Sequence, residues 1–168
     1  MQHINFQTDR LLLRRPDASD LAPYTSYCQS DRTGFVGGPF SAVQAFEKLA
    51  AMIGHWNLRG YGRFVVTDRQ NGRALGHVGA LHLDLNDPPE MTWTIWAGHD
   101  EGQGYATEAC AAYLRHARDD LGFTRMIARI MAENRPSRGL AERLGGVQDM
   151  DTPAPDWFAG CVTYEFAL

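Results

Sequence analysis

No stretch of this 168-residue chain strings together the roughly 20 apolar residues needed to cross a bilayer, so no membrane span is expected. Positive charge is not in excess either: the formal net charge is −4 and the pI about 5.8. Nucleic acid and anionic membrane surfaces are met by basic faces, so both are excluded as general partners, although a small local anion site is not. Cysteines are few, odd in number and far apart (Cys28, Cys110 and Cys161), which excludes a disulfide framework and paired thiolate metal ligands. They read as reduced thiols and point to a cytoplasmic protein. The six histidines show no metal-ligand spacing, so no metal is expected. In Met1–Arg15, Asp9 and Arg10 precede any apolar run, so a signal peptide is not expected. Repeats, low-complexity tracts and linkers are absent. Residues 1–168 are therefore expected to form one domain, monomeric or homodimeric, and 44% apolar content suffices for its core.

What is present reads as alternating strands and helices. Leu11–Arg15 suits a first strand, and residues 17–30 a helix that Pro23 must interrupt or re-aim. Residues 31–40, with three glycines and a proline, read as a loop. Ser41 offers an N-cap with Gln44 as its capping-box partner, and Val43, Phe46, Leu49, Ile53 and Trp56 follow at helical spacing until Gly60 and Gly62. Arg63–Asp68, a turn at Asn71-Gly72 and Leu75–Leu85 make a hairpin. Residues 86–89 break the chain before a Thr-, Trp- and Ile-rich strand, Glu90–Ala97. From Ala106 the period changes to that of a helix, with Ala109, Tyr113, Ala117 and Leu121 on one face and Gly122 at its end. Thr124–Met131 is a further strand. A short helix with Pro136 in its first turn carries Leu140, Ala141 and Leu144, and Phe158–Ala167 is the last strand. This order describes a mixed α/β layer fold.

The most informative segment is Glu101-Gly102-Gln103-Gly104-Tyr105-Ala106-Thr107-Glu108, joining a strand directly to a helix. Glycines allow positive φ and close approach of a ligand to the backbone. The first helical amides have no intrahelical partners and the helix dipole favours negative charge there, so the turn suits a phosphate or diphosphate. On spacing alone the same glycines also suit a bare tight turn. A Walker-type loop is excluded, because Gly-Lys followed by Ser or Thr occurs nowhere. A dinucleotide fingerprint fails because Thr107 stands where its third glycine belongs.

The turn resembles motif A of the GCN5-related N-acetyltransferases (GNAT), Q/R-x-x-G-x-G/A, with Gly104 and Ala106 on its fixed positions. Gly104–Ala109 and the opening Thr8-Asp9-Arg10-Leu11-Leu12-Leu13-Arg14 are similar to the branch that acetylates ribosomal-protein N-termini, the RimJ/RimL type. Glu133-Asn134-Arg135-Pro136-Ser137 through Arg143-Leu144-Gly145 resembles that branch's motif B. The likeness spans almost the whole chain, three motifs in order. The chain departs from it at Glu101, in the Gln/Arg slot of motif A, at Gly146, in place of a Phe, and at Ala141, where relatives outside the branch carry a tyrosine general acid.

The resemblance implies a single GNAT-like α/β domain whose mostly antiparallel sheet splays at the cofactor site between flanking helices. It implies an enzyme that moves an acetyl group from acetyl-CoA directly to a primary amine in a ternary complex. The acceptor is a protein N-terminus or a small amine. Gly102, Gln103, Gly104, Tyr105, Ala106 and Thr107 would hold the cofactor diphosphate. Ile95, Trp96 and Ala97 would meet its pantetheine arm, where a free strand amide would serve as an oxyanion donor.

Glu90 is the expected general base, placed by alternation on the face of Thr92, Thr94 and Trp96; its alternative is a solvated carboxylate after two prolines. Ser137 is the expected acid at the departing thiolate, or a helix-capping residue, and Asn134 a cofactor contact or the cap itself. Glu108 is read as a support of the turn. Arg135 and Arg138 reach cofactor phosphates or are simply solvated. Phe35, Phe40, Trp157, Phe158 and Tyr164 are candidate acceptor contacts, each equally able to be core. A non-catalytic acyl-CoA sensor and a purely structural domain are the competing readings; a shared layer fold alone implies no function.

Overall fold

The structure, a computed structural model, describes residues 5–168. Eight strands form one sheet: β1 (Phe6–Gln7), β2 (Leu11–Arg14), β3 (Arg63–Asp68), β4 (Ala74–Leu81), β5 (Glu90–Ile95), β6 (Arg125–Met131), β7 (Val147–Asp149) and β8 (Cys161–Ala167). Their spatial order is β1-β2-β3-β4-β5-β6-β8-β7, antiparallel throughout except for the parallel pair β5–β6. The helices are α1 (Leu21–Cys28), α2 (Ala42–Arg59), α3 (Tyr105–Asp119) and α4 (Arg135–Arg143). This is the mixed, mostly antiparallel sheet expected.

Strand alternation divides the interior between two layers. Phe64, Val66, Leu75, Val78 and Met91 point to one face, where they bury Ala109, Cys110, Tyr113 and Ala117 of α3 and Leu140 and Ala141 of α4. Val65 and Trp96 point to the other, against Tyr24, Tyr27 and Cys28 of α1 and Ala45, Leu49 and Met52 of α2. Residues 63, 77, 79, 92 and 94 share the second face through their register, and this side of the sheet carries the cavity described below.

The starts and stops of the helices follow from local chemistry. In α2 the capping box is complete: Gln44 N–H donates to Ser41 Oγ at 3.2 Å, Ser41 N–H to Gln44 Oε1 at 2.9 Å. Gly60 closes the helix in the left-handed region. The buried stripe of α2, however, is Ala45, Leu49, Met52 and Trp56, while Val43 and Phe46 are exposed. Small Ala45 lets α1 approach closely, which the apolar spacing alone conceals. Pro23 lies in the first turn of α1, where its missing N–H costs nothing, so a short 3-10 turn at Ala18–Asp20 precedes the helix instead of a break within it.

Other expectations are corrected in detail. Asp31–Val36 is a 3-10 helix, not a loop. β4 ends at Leu81, leaving Leu83 and Leu85 exposed, and β8 begins at Cys161, after a 3-10 turn at Asp156–Phe158. The edge strands β1 and β7 were not expected; two and three residues are too short to show a period. At Gly146 no packing is lost: the Phe166 ring lies 2.9 Å from where a Cβ would stand, so β8 fills the space.

Candidate active site at the splayed strands

The parallel pair β5–β6 holds together at one point only. Glu90 is matched with Ile127, whose amide donates to the Pro89 carbonyl at 3.1 Å, and no further pair follows. Neighbouring pairs are matched along their whole length: six positions in β4–β5 and seven in β6–β8. A wedge therefore opens between β5 and β6. Trp96 N–H donates to Leu75 O at 2.8 Å, so the even-numbered amides of β5 face β4. By alternation, the amides of Trp93, Ile95 and Ala97 face the wedge. The Ile95 carbonyl accepts from Arg32 Nη2 at 3.0 Å. Trp96 is turned away: its amide is used and its indole donates to His77 Nδ1 at 2.9 Å on the α1–α2 side.

At the wider end of the wedge lies the glycine turn. Gly102 (φ 73°) and Gly104 (φ 81°) both occupy the left-handed region, which other residues rarely adopt. Gly104 is the N-cap of α3 and brings no side chain, and the first intrahelical bond is Glu108 N–H to Gly104 O at 3.0 Å. The amides of Tyr105, Ala106 and Thr107 thus point outward without a cap. Nothing lies within 4 Å of a Cβ built on Gly102, so the approach is open. Arg10 flanks the turn, donating to the Gln103 carbonyl at 2.9 Å and lying over the Tyr105 ring at 4.7 Å. Glu108 supports it as expected, accepting from Thr8 Oγ1 at 2.5 Å, Arg10 Nε at 2.7 Å and the Arg10 amide at 3.0 Å. Its carboxyl is held below the usual carboxylate range: burial raises it, but the donors from Thr8 and Arg10 outweigh that.

Glu101, the acid in the motif A slot, is exposed and ion-paired with Arg32. Arg32 comes from the 3-10 helix at residues 31–36, and its Nη1 lies 3.2 Å from where a Gly98 Cβ would stand. One cation thus covers the end of β5 and offsets the acid beside the glycine turn. Sequence reasoning missed it, because no local signal links residue 32 to residue 101.

At the closed end, Glu90 is mostly buried and held by Arg129. Arg129 Nη1 donates to Glu90 Oε2 at 2.9 Å, and the Arg129 amide donates to Oε1 at 3.4 Å, so the carboxylate occupies the place of the missing strand partner. Burial pushes the Glu90 carboxyl above the ordinary value, with Arg129 opposing in part. It shares the cavity with Thr92 and Thr94, as alternation requires. The solvated-carboxylate alternative does not describe it.

Asn134 and Ser137 reach the same cavity from the start of α4. Asn134 is the cap: its Oδ1 accepts from the Ser137 amide at 3.3 Å. The bond uses the Ser137 backbone, and the Ser137 hydroxyl has no hydrogen-bond partner among the described residues. Arg138 is half-buried and held by the fold, donating to Tyr164 Oη, Ala132 O and Gln148 Oε1. Arg135 is exposed. Tyr164 is buried core, donating to Glu142 at 2.8 Å, and not an acceptor contact. Ala141 is fully buried, so nothing there substitutes for a tyrosine acid.

A cavity of about 410 Å³ joins Glu90, Thr92, Thr94, Asn134 and Ser137. Phe35, Phe40, Trp157 and Phe158 line it, together with Tyr24 and Tyr27 of α1. Trp157 stacks on Phe158 (5.8 Å between centroids, 7° between planes), and the Arg129 guanidinium lies over the Trp157 ring at 5.3 Å. No group of metal-ligating side chains occurs among the described residues, and none of their helices is long and apolar enough to cross a membrane.

Known proteins share this fold. Residues 10–147 match the family model described as an acetyltransferase (GNAT) domain. An acetyltransferase structure from Agrobacterium tumefaciens superposes with a TM-score of 0.90 at 28% identity, covering 100% of this chain and 96% of that one. A ribosomal-protein-S5-alanine acetyltransferase from Vibrio fischeri gives 0.73 at 14% identity, covering 98% and 96%. RimL, a ribosomal L7/L12 α-N-protein acetyltransferase solved in complex with coenzyme A, gives 0.79 at 14%, covering 98% of each chain. At 14% identity the likeness is one of fold, and it includes the branch whose motifs this sequence resembles. With the family model spanning well over half its length, the chain belongs to the GNAT acetyltransferases.

Proposed function

We propose that this protein is an acetyl-CoA-dependent N-acetyltransferase that acts on a primary amine by direct transfer in a ternary complex. The observation that carries the reading is the pairing of an uncapped, glycine-opened helix start with a wedge of unpaired strand amides. Diphosphate fits the first and a peptide-like pantetheine arm fits the second. Acetyl-CoA, when bound, supplies the activated acetyl group. The amides of Gly102–Thr107 hold its diphosphate, and Arg32 keeps Glu101 from opposing it. The amides of Trp93 and Ile95 in β5, and of Ala97 just past it, pair with the arm and stabilise negative charge as it develops on the thioester oxygen.

Glu90 accepts the proton from the incoming ammonium group, and its raised pKa brings it closer to that task than an ordinary carboxylate. The Ser137 hydroxyl, facing the cavity, donates to the departing thiolate. No nucleophilic side chain is needed, because holding both reactants in one cleft supplies several kcal/mol. The Arg129 contact favours a second reading, in which Glu90 only closes the wedge and the protein is an acyl-CoA sensor. One assay separates them: thiol release from acetyl-CoA over a panel of amines and peptides. Turnover supports the enzyme. Tight binding of acetyl-CoA with no turnover on any acceptor supports the sensor.

A further inference from the structure

The cavity wall beyond Glu90 has a charge pattern that acetyl transfer by itself does not require. The chain as a whole is acidic, at −4, yet the charged side chains lining the cavity are three cations, Lys48, Arg63 and Arg129, and one carboxylate, Glu90. Arg129 is spent on Glu90. Lys48 lies over the Phe40 ring at 4.1 Å and has no ion pair among the described residues. Arg63 is the more telling. It is mostly buried on the cavity side of β3 and makes no side-chain hydrogen bond or ion pair among the described residues. Burial lowers its pKa, and the nearby Tyr24 and Glu90 offset that only in part. A guanidinium held so is costly until an anion reaches it, and its planar fork is shaped for a carboxylate. The cofactor's phosphates are not that anion, because residues 102–106 lie outside this cavity. Burial drives the pKa of His77 beside it well down, and the Arg63 charge adds to the effect.

Register fixes the separation. Arg63 is matched with Gly79 and Gly79 with Thr92, two residues along from Glu90 on the same face. Two strand spacings and two residue steps put the Cα atoms of Arg63 and Glu90 ~12 Å apart. Both side chains line the one cavity of about 410 Å³, which has room for one small molecule with an amine at Glu90 and a carboxylate at Arg63.

We infer that the acceptor is a free amino acid with an apolar side chain, its carboxylate held by Arg63 while its amine is presented to Glu90. Tyr24, Tyr27, Phe35, Phe40 and Trp157 supply the apolar wall. Lys48 and Arg63 together disfavour a cationic side chain. A protein N-terminus has an amide where this site requires a carboxylate and is a poor acceptor. The inference rests on the acetyltransferase reading for its chemistry, but the carboxylate site stands apart from catalysis.

Two measurements on the full chain keep them distinct. In calorimetry without cofactor, L-phenylalanine binds ~10- to 100-fold more tightly than L-phenylalanine amide or phenethylamine, the gain of a charge-assisted contact. That preference disappears in Arg63→Met and partly survives in Arg63→Lys. In the thiol-release assay the same ratio appears in kcat/KM, through KM. Binding of the acid without thiol release would sink the acetyltransferase reading and leave the carboxylate site standing. Equal handling of acid and amide by the unmodified protein, or turnover confined to peptides with free N-termini, would overturn the inference whether or not the variants fold.

Discussion

The two ends of the wedge are built on different principles. At the wide end, the groups that the glycine turn presents are main chain, glycines at positive φ and uncapped helical amides, with Arg10, Glu108 and Arg32 bracing it from outside. At the closed end everything depends on side chains drawn from distant elements, with Glu90, Arg129, Arg63 and Ser137 each from a different helix or strand. The difference teaches that one half of the site is encoded in consecutive residues and the other only by the fold. It also implies that damage to the two halves is read out differently: affinity for acetyl-CoA at one, turnover and acceptor selection at the other.

The sharpest way to break that division is Glu90→Gln. Loss of a general base lowers kcat by about 10²- to 10⁴-fold, while the calorimetric affinity for acetyl-CoA stays within about twofold. Unchanged kcat would remove Glu90 from proton transfer and favour the sensor reading. Gly104→Val is the converse. A β-branched residue at φ 81° is strained and covers the amides, so acetyl-CoA affinity falls by at least about 100-fold. Retained affinity in a folded Gly104→Val protein would mean that the diphosphate lies elsewhere.

Smaller effects sharpen the boundary. Arg32→Ala leaves the Glu101 charge uncompensated and should weaken acetyl-CoA binding by about 10-fold, with recovery in Arg32→Ala/Glu101→Gln, since removing both charges removes the conflict. The pH–rate profile tests Glu90 in another way. The base must be ionised, so activity is lost as pH falls through its raised pKa, and the acid limb lies above the ordinary carboxylate range. Arg129 favours the ionised form, so Arg129→Met moves that limb to higher pH; an unmoved limb would assign it to another group. Smallest is Asn134→Ala, which removes the cap of α4 and costs about 1 kcal/mol in denaturant unfolding with little change in acetyl-CoA affinity.

What could be read from the sequence follows the same line. The turn at 101–108 was legible because its chemistry lies in backbone conformations that adjacent glycines dictate. The face of Glu90 was legible because strand alternation is a local rule, and no bulge intervenes along β5. Asn134 and Ser137 were found together because a cap acts over three residues. Arg32 and Arg129 were not legible: each acts on a residue 69 or 39 positions away, and only the assembled sheet brings them together. Arg63 left a trace, an arginine on the inward alternation of an otherwise apolar strand, Arg63-Phe64-Val65-Val66. Tyr164 and Arg138 misled for the opposite reason, since a buried tyrosine or a half-buried arginine that bonds within its own fold looks the same in sequence as one awaiting a ligand.

The central claim is that main-chain N–H groups grip the diphosphate of acetyl-CoA, and a crystal structure of the coenzyme A complex tests it most directly. The account predicts phosphate oxygens within about 3.2 Å of amides among residues 102–107, with the arm running along the wedge side of β5. A diphosphate bound away from the turn, or a turn closed by one of its own side chains in the complex, would contradict it.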